Sequence, residues 1–342
     1  MSFQTKRFKV SMNFTSSPVL LHLLADRKLA PGAALLVFDA PAQDALSLLV
    51  AHPAFAAFVA EFPCLLGSEQ ASGLPPELLA DLQAAGCRVT DAAAFHRSDT
   101  ALKPVLPTSA LWLDGDWPLA PPQRPTGTQS ASRVLALKLL QLVMADAETR
   151  DIEAVLRQDP TLSYHLLRLV NSLGMGMTRR ITSFSQAILI LGRKQLQRWL
   201  NLMLFAARSD DYRAPMLLAR VVVRARTMEL LTKEIGLDLA GQDLAFMAGM
   251  FSMLGILFGM SLAELIRPLQ LSDVLVDAII DHQGEIGRLL QLLEYAEQSD
   301  AASATDLLAG LRLTAAQFTF ASLEACQWML GIAREMKGSD HD

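Results

Sequence analysis

A chain of 342 residues that is 51% hydrophobic, 19% charged and 6% aromatic has enough apolar material for the cores of two ordinary domains. Abundant Leu, Ala, Val and Met with few aromatics favours helix-on-helix packing over a β-sandwich. A net charge of -5 excludes a global drive toward nucleic acid or anionic lipid. The three cysteines (Cys64, Cys87, Cys326) lack C-x-x-C spacing and read as reduced core residues of a cytosolic protein.

The opening MSFQTKRFKV has no apolar run of the secretory kind. FKVSMNF alternates Phe8, Val10, Met12 and Phe14 and is strand-like. SPVLLHLLADRKLA reads as a helix, with Ser17 as N-cap and Pro18 in the first turn. GAALLVFDA suits a buried strand, and QDALSLLVAHPAFAAFVAEF is helical with an interruption at Pro53. PPELLADLQAAG is a helix stopped by Gly86, and CRVTDAAAF and SALWLDG are two further strands. The alternation predicts a small α/β layer with parallel pairing over residues 1–114. Residues 115–133, GDWPLAPPQRPTGTQSASR, have the Pro/Gly/Ser content of a linker whose Trp117 is free to dock on either neighbour.

From 134 to 336 the pattern is helical throughout, ahead of a flexible tail at 337–342. VLALKLLQLVM places Leu135, Leu139, Leu142 and Val143 on one face, and RDIEAVLRQ buries Ile152, Val155 and Leu156. Asp159 caps a third helix with Pro160 at its first position and Leu162, Leu166, Leu169 and Leu173 inward. A GMGMTRRIT loop, a helix capped by Ser183 and the helix RKQLQRWLNLMLFAA follow. Leu244–Ala263 then runs twenty residues without a charge. Asp243 and Glu264 flank it and no Lys/Arg cluster sets an orientation, so a buried central helix is expected rather than a membrane span.

The six histidines (22, 52, 96, 165, 282, 341) form no i,i+3 or i,i+4 pair that would clip a metal to a helix. No Gly-rich phosphate loop, nucleophile–base constellation or aromatic interleaving for nucleic acid is present in the sequence. Arg220, Arg224 and Arg226, within two turns of one helix, together with Arg179 and Arg180 in the loop, are candidates for an anion or partner surface. The plainer alternative is solvated faces paired with Glu229, Glu234 and Asp211.

Two resemblances sharpen this. AFMAGMFSMLGIL resembles the central helix of the HD superfamily of metal-dependent phosphohydrolases, with Phe246, Gly249 and Gly255 matching and Ser252-Met253 standing at the His-Asp pair. A thioether and a hydroxyl are poor stand-ins for carboxylate and imidazole on a hard metal. The family's first His falls near Ala225, and His282 alone keeps a family His position. DIEAVLRQDPTLSYHLLRLVNSLGMGMTRRITSFSQAILILGRKQLQRWL is similar to the signature of the HDOD family, the HD-related output domain. The first half resembles a shortened EAL domain, a barrel that hydrolyses cyclic di-GMP. VSMNFT carries Asn13 at a metal-ligand position, and LWLD carries Asp114 at an acidic position, with Trp112 where the family has Lys. The Glu-Ala-Leu tripeptide is absent and Ala replaces the Asp-Asp pair, so two metals cannot be held.

These resemblances imply a multi-domain chain: an α/β remnant of an EAL barrel followed by an all-helical HDOD domain without metal or other cofactor. They imply a non-catalytic, cytoplasmic bacterial signalling protein. Its partners would be a sensor kinase, cyclase or response regulator, or another copy of itself, with nucleic acid disfavoured. The competing readings are a phosphodiesterase or a module sensing a cyclic dinucleotide.

Overall fold

The computed structural model describes residues 17–39, 42–100, 103–122, 211–269 and 271–337, together with 135, 138, 139, 141, 142, 144–156, 158 and 198. The strand expected around Phe8–Phe14, the helices from Asp159 through RKQLQRWLNLMLFAA, and Asn13, Arg179 and Arg180 lie outside the described residues.

The first half is an α/β layer, as expected. Its elements are β1 (Leu20–Ala25), β2 (Pro31–Val37), α1 (Gln43–Ala51), α2 (Pro53–Glu61), β3 (Cys64–Gly67), α3 (Ser68–Ser72), α4 (Pro76–Ala84), β4 (Arg88–Thr90), β5 (Phe95–Arg97) and β6 (Trp112–Asp114). The six strands lie in the order β4-β3-β2-β1-β6-β5. β2–β3, β3–β4 and β5–β6 pair in parallel, and β1 runs antiparallel to both its neighbours. The break at Pro53 and the stop at Gly86, whose φ is +105°, fall where the sequence put them.

The helix expected over SPVLLHLLADRKLA is corrected: Leu20–Ala25 is a strand. Leucine favours helices only weakly, and tertiary pairing overrides that preference. Here Leu20–Leu24 are matched residue for residue against Val37–Ala33, and Ala25 reaches Leu113 of β6. Ser17 caps nothing; instead Thr319 Oγ1 accepts from the Val19 amide at 3.1 Å and donates to its carbonyl at 3.2 Å. Asp26 Oδ1 accepts from the amides of Lys28 and Ala30 and closes the hairpin.

The second half is helical: α5 (Thr149–Leu156), α6 (Ala214–Glu234), α7 (Leu239–Phe251), α8 (Leu254–Phe258), α9 (Leu262–Ile266), α10 (Asp273–Ile280), α11 (Gly284–Glu297), α12 (Ala301–Leu311) and α13 (Ala315–Lys337). Ile152 and Val155 are buried, as their spacing required. The uninterrupted helix expected over Leu244–Ala263 is corrected to three pieces. α7 ends at Phe251, Gly259 adopts a left-handed φ of +62° after α8, and Ser261 caps α9. Leu239–Phe258 is long and apolar enough to cross a membrane by composition; Ala245, Phe246, Ala248 and Phe251 are buried within the fold. Gly249 lets α6 and α7 touch, since a Cβ there would lie 2.7 Å from the Ala225 Cα.

One hydrophobic core runs through both halves. Gln327 on α13 donates to the Ala54 carbonyl of α2 at 2.8 Å, and His22 Nε2 on β1 lies 3.0 Å from the Ala296 carbonyl of α11. Trp117 is fully buried and stacks on Tyr212, so the start of the proline-rich stretch packs between the halves. The three thiols are buried and unpaired; burial pushes Cys326 up to about 12, and hydrogen bonding to Cys87, then burial, raises Cys64.

Candidate functional site

Two of the positions that the HD resemblance nominates connect to one side chain, Arg224: Ser252 directly and His282 through Glu294. Ser252 follows α7, and its hydroxyl donates to the Gly249 carbonyl at 2.8 Å, as a Ser in an apolar helix tends to do. The same oxygen accepts from Arg224 Nη1 on α6 at 2.8 Å. Arg224 precedes Ala225, and the close approach of α6 to α7 at Gly249 is what brings it within reach of Ser252. Met253 is fully buried.

Arg224 is a buried hub rather than part of a surface. It is 5% exposed, and its Nε and Nη2 donate to both carboxylate oxygens of Glu297, the Nε bond being 2.8 Å. Glu294, one turn earlier on α11, places an oxygen 3.8 Å from Nη1. The other oxygen of Glu294 is 2.8 Å from His282 Nε2. His282 sits in the turn before α11 with φ +53°, and Gly287 leaves room for it, because a Cβ there would lie 2.2 Å from the His282 carbonyl carbon. Burial opposes the charge on Arg224, but the attraction and hydrogen bonds of Glu297, with Glu294 behind them, outweigh it and hold the guanidinium above its ordinary value.

Among the described residues, the other nominated arginines, Arg220 and Arg226, are likewise engaged. Arg220 Nη2 donates to the Gly115 carbonyl at 2.9 Å and Nη1 lies 3.4 Å from Asp116. Arg226 bonds Glu229 at 2.8 Å and Glu324 at 2.7 Å. Glu229 also accepts from Arg198, whose guanidinium lies 4.4 Å over the Phe246 ring. Of the proposed acid partners, Glu229 is one; Glu234 accepts from Gln317 and Asp211 pairs with the buried Arg213 instead. In the first half, Asp114 lies 3.7 Å from Arg97, and Trp112 packs with the apolar cluster of Leu24, Ala33 and Leu65.

Glu294 and Glu297 escaped the sequence reading. Their i,i+3 spacing in EYAE, which places both on one face of a helix, was the available signal. A divalent metal, which the HD resemblance implies, does not fit what surrounds Ser252. One position is a thioether, the hydroxyl is already shared, and a permanent cation lies 2.8 Å away. Among the described residues no three His, Cys, Asp or Glu side chains are arranged to hold a metal ion.

Residues 131–269 match the family model of the HDOD domain, the HD-related output domain. The chain therefore carries an HDOD domain over those residues, while His282, in a turn, and Glu294 and Glu297, on α11, lie beyond them. Over 172 residues it is 31% identical to the cyclic di-GMP phosphodiesterase CdgJ of Vibrio cholerae serotype O1, which covers 50% of this chain and 39% of that protein. Over 193 residues it is 25% identical to the uncharacterized protein YuxH of Bacillus subtilis, covering 56% of this chain and 46% of that one. The chain thus spans less than half the length of these relatives. A crystal structure titled "Putative phosphohydrolase", from Shewanella amazonensis SB2B, is 16% identical with a TM-score of 0.40, covering 63% of this chain and 94% of that one.

Proposed function

We propose that this is a non-catalytic cytoplasmic signalling protein whose HDOD domain serves as a protein-interaction or scaffold module. The pathway is a cyclic di-GMP or two-component one, and the partner is a sensor kinase, cyclase or response regulator. The observation that carries this reading is the Arg224 guanidinium bonded to Ser252 and Glu297 where a hydrolase of this superfamily would need metal ligands. Signalling is supported by the HDOD match and by the relative named as a cyclic di-GMP phosphodiesterase. The α/β half is read as a remnant of an EAL barrel that now packs against the HDOD helices. That is supported by its parallel pairs β2–β3 and β3–β4.

The name of that same relative favours a second reading, in which the chain hydrolyses a cyclic dinucleotide. Metal analysis of the purified chain and a cyclic di-GMP turnover assay with added Mn²⁺ or Mg²⁺ separate the two. Trace metal and no turnover, with stoichiometric cross-linking to an identified kinase, cyclase or regulator in cells, supports the scaffold. Stoichiometric metal with hydrolysis abolished by chelation sinks it.

A further inference from the structure

The corner that ends α8 is held by the start of the proline-rich stretch. α8 has five residues, and the Ile256 carbonyl in its last turn is one of the acceptors that a helix C-terminus leaves without an intrahelical donor. Arg213, at the start of α6, supplies one. Its Nη1 lies 3.5 Å from the Ile256 carbonyl, and the same nitrogen donates to the Ala120 carbonyl. Asp211 takes the other nitrogens, Nε at 3.0 Å and Nη2 at 2.7 Å, and Arg213 is 1% exposed. Gly259, the left-handed residue that closes α8, faces Pro122, whose Cδ lies 2.7 Å from where a Cβ would stand. The near end of the stretch is pinned to α6 by Arg220 through the Gly115 carbonyl, and the Trp117 amide donates to the Ser98 carbonyl just after β5. Trp117 itself is buried and stacked on Tyr212.

We propose that residues 115–122 are a strap that couples the α/β half to the α8 corner, which follows Ser252, and that Arg213 is the coupling residue. Docked, the strap covers Arg213 and Gly259 and fixes where α8 ends. Lifted, it takes away the Pro122 cover and lets water reach Arg213, whose hold on the Ile256 carbonyl slackens. α8 then frays while α6 and α7 stay packed at Gly249. Two properties make the strap releasable. A five-residue helix has few hydrogen bonds of its own to resist fraying. The Arg213–Asp211 pair also regains hydration when uncovered, which offsets part of the Trp117 packing that is lost. The strap thus gives a change in the α/β half a route into the HDOD domain, which goes beyond the scaffold reading and does not depend on it.

Hydrogen–deuterium exchange of the full chain, read by mass spectrometry, compares residues 254–260 with α12, which packs on α11. Trp117→Ala should speed exchange at 254–260 about tenfold or more and leave α12 unchanged. Pro122→Gly and Arg220→Gln, which loosen the strap at its two ends and keep Trp117, should do the same to a smaller degree, and they carry the test if Trp117→Ala does not fold. Thr319→Val, at another contact between the halves, should not single out 254–260. Arg213→Lys keeps a charge for Asp211 but lacks the fork that serves both carbonyls. It should itself speed exchange at 254–260, and Trp117→Ala should then add little. Exchange at 254–260 that is unchanged in all the strap variants, or raised equally at α12, would overturn the proposal. So would a Trp117→Ala effect undiminished in the Arg213→Lys background, because the two would then act on α8 independently.

Discussion

Glu297→Ala is the most informative single perturbation of the Arg224 cluster. Arg224 is 5% exposed, and the substitution leaves its charge with Ser252 and with Glu294 at 3.8 Å as the nearest acid. Breaking one side of a buried pair costs about 3–5 kcal/mol, whereas an exposed pair is worth roughly 0.2–1 kcal/mol. The Glu297 side chain is 25% exposed and Glu294 remains, which places the loss near the lower end, about 3 kcal/mol. Urea denaturation followed by circular dichroism reads it as a shift in midpoint at constant slope. The double variant Glu297→Ala/Arg224→Met should be more stable than Glu297→Ala alone, because no unpaired charge remains buried. A single-variant loss under about 1 kcal/mol, or a double variant whose losses simply add, would refute the account of Arg224 as a buried, compensated charge.

Other tests address packing within the helical half and contacts between the halves. Gly249→Ala drives a methyl to 2.7 Å from the Ala225 backbone and should cost about 1–3 kcal/mol in urea denaturation, with no such loss for Gly331→Ala, where the space is open. Thr319→Val leaves the Val19 amide and carbonyl unpaired in the core; a loss of about 1–3 kcal/mol, with faster hydrogen exchange at Val19, is expected. Burial holds the His22 imidazole below its ordinary 6.5, only partly offset by the Ala296 carbonyl. The unfolded chain therefore binds the extra proton first. The contribution to stability is complete above 6.5 and is lost as pH falls from there toward the folded value. His22→Gln should flatten the urea midpoint against pH across that interval; an unchanged slope would remove His22 as its source.

Local chemistry made several features legible from sequence alone. Pro53 splits α1 from α2, Gly86 stops α4, and the spacing of Ile152 and Val155 marks the buried face of α5. Each depends on a residue's own backbone limits or its periodicity, and none needs a distant partner. Tertiary structure decided the rest. Leu20–Ala25 became a strand because β2 and β6 offered pairing on both edges, and the apolar central run broke where Ser252 found partners on α6 and α7 and where Gly259 turned left-handed. Arg224 looked like a solvated charge because its partners, Glu294 and Glu297, lie some seventy residues on; only folding α11 against α6 turned it into a buried cation.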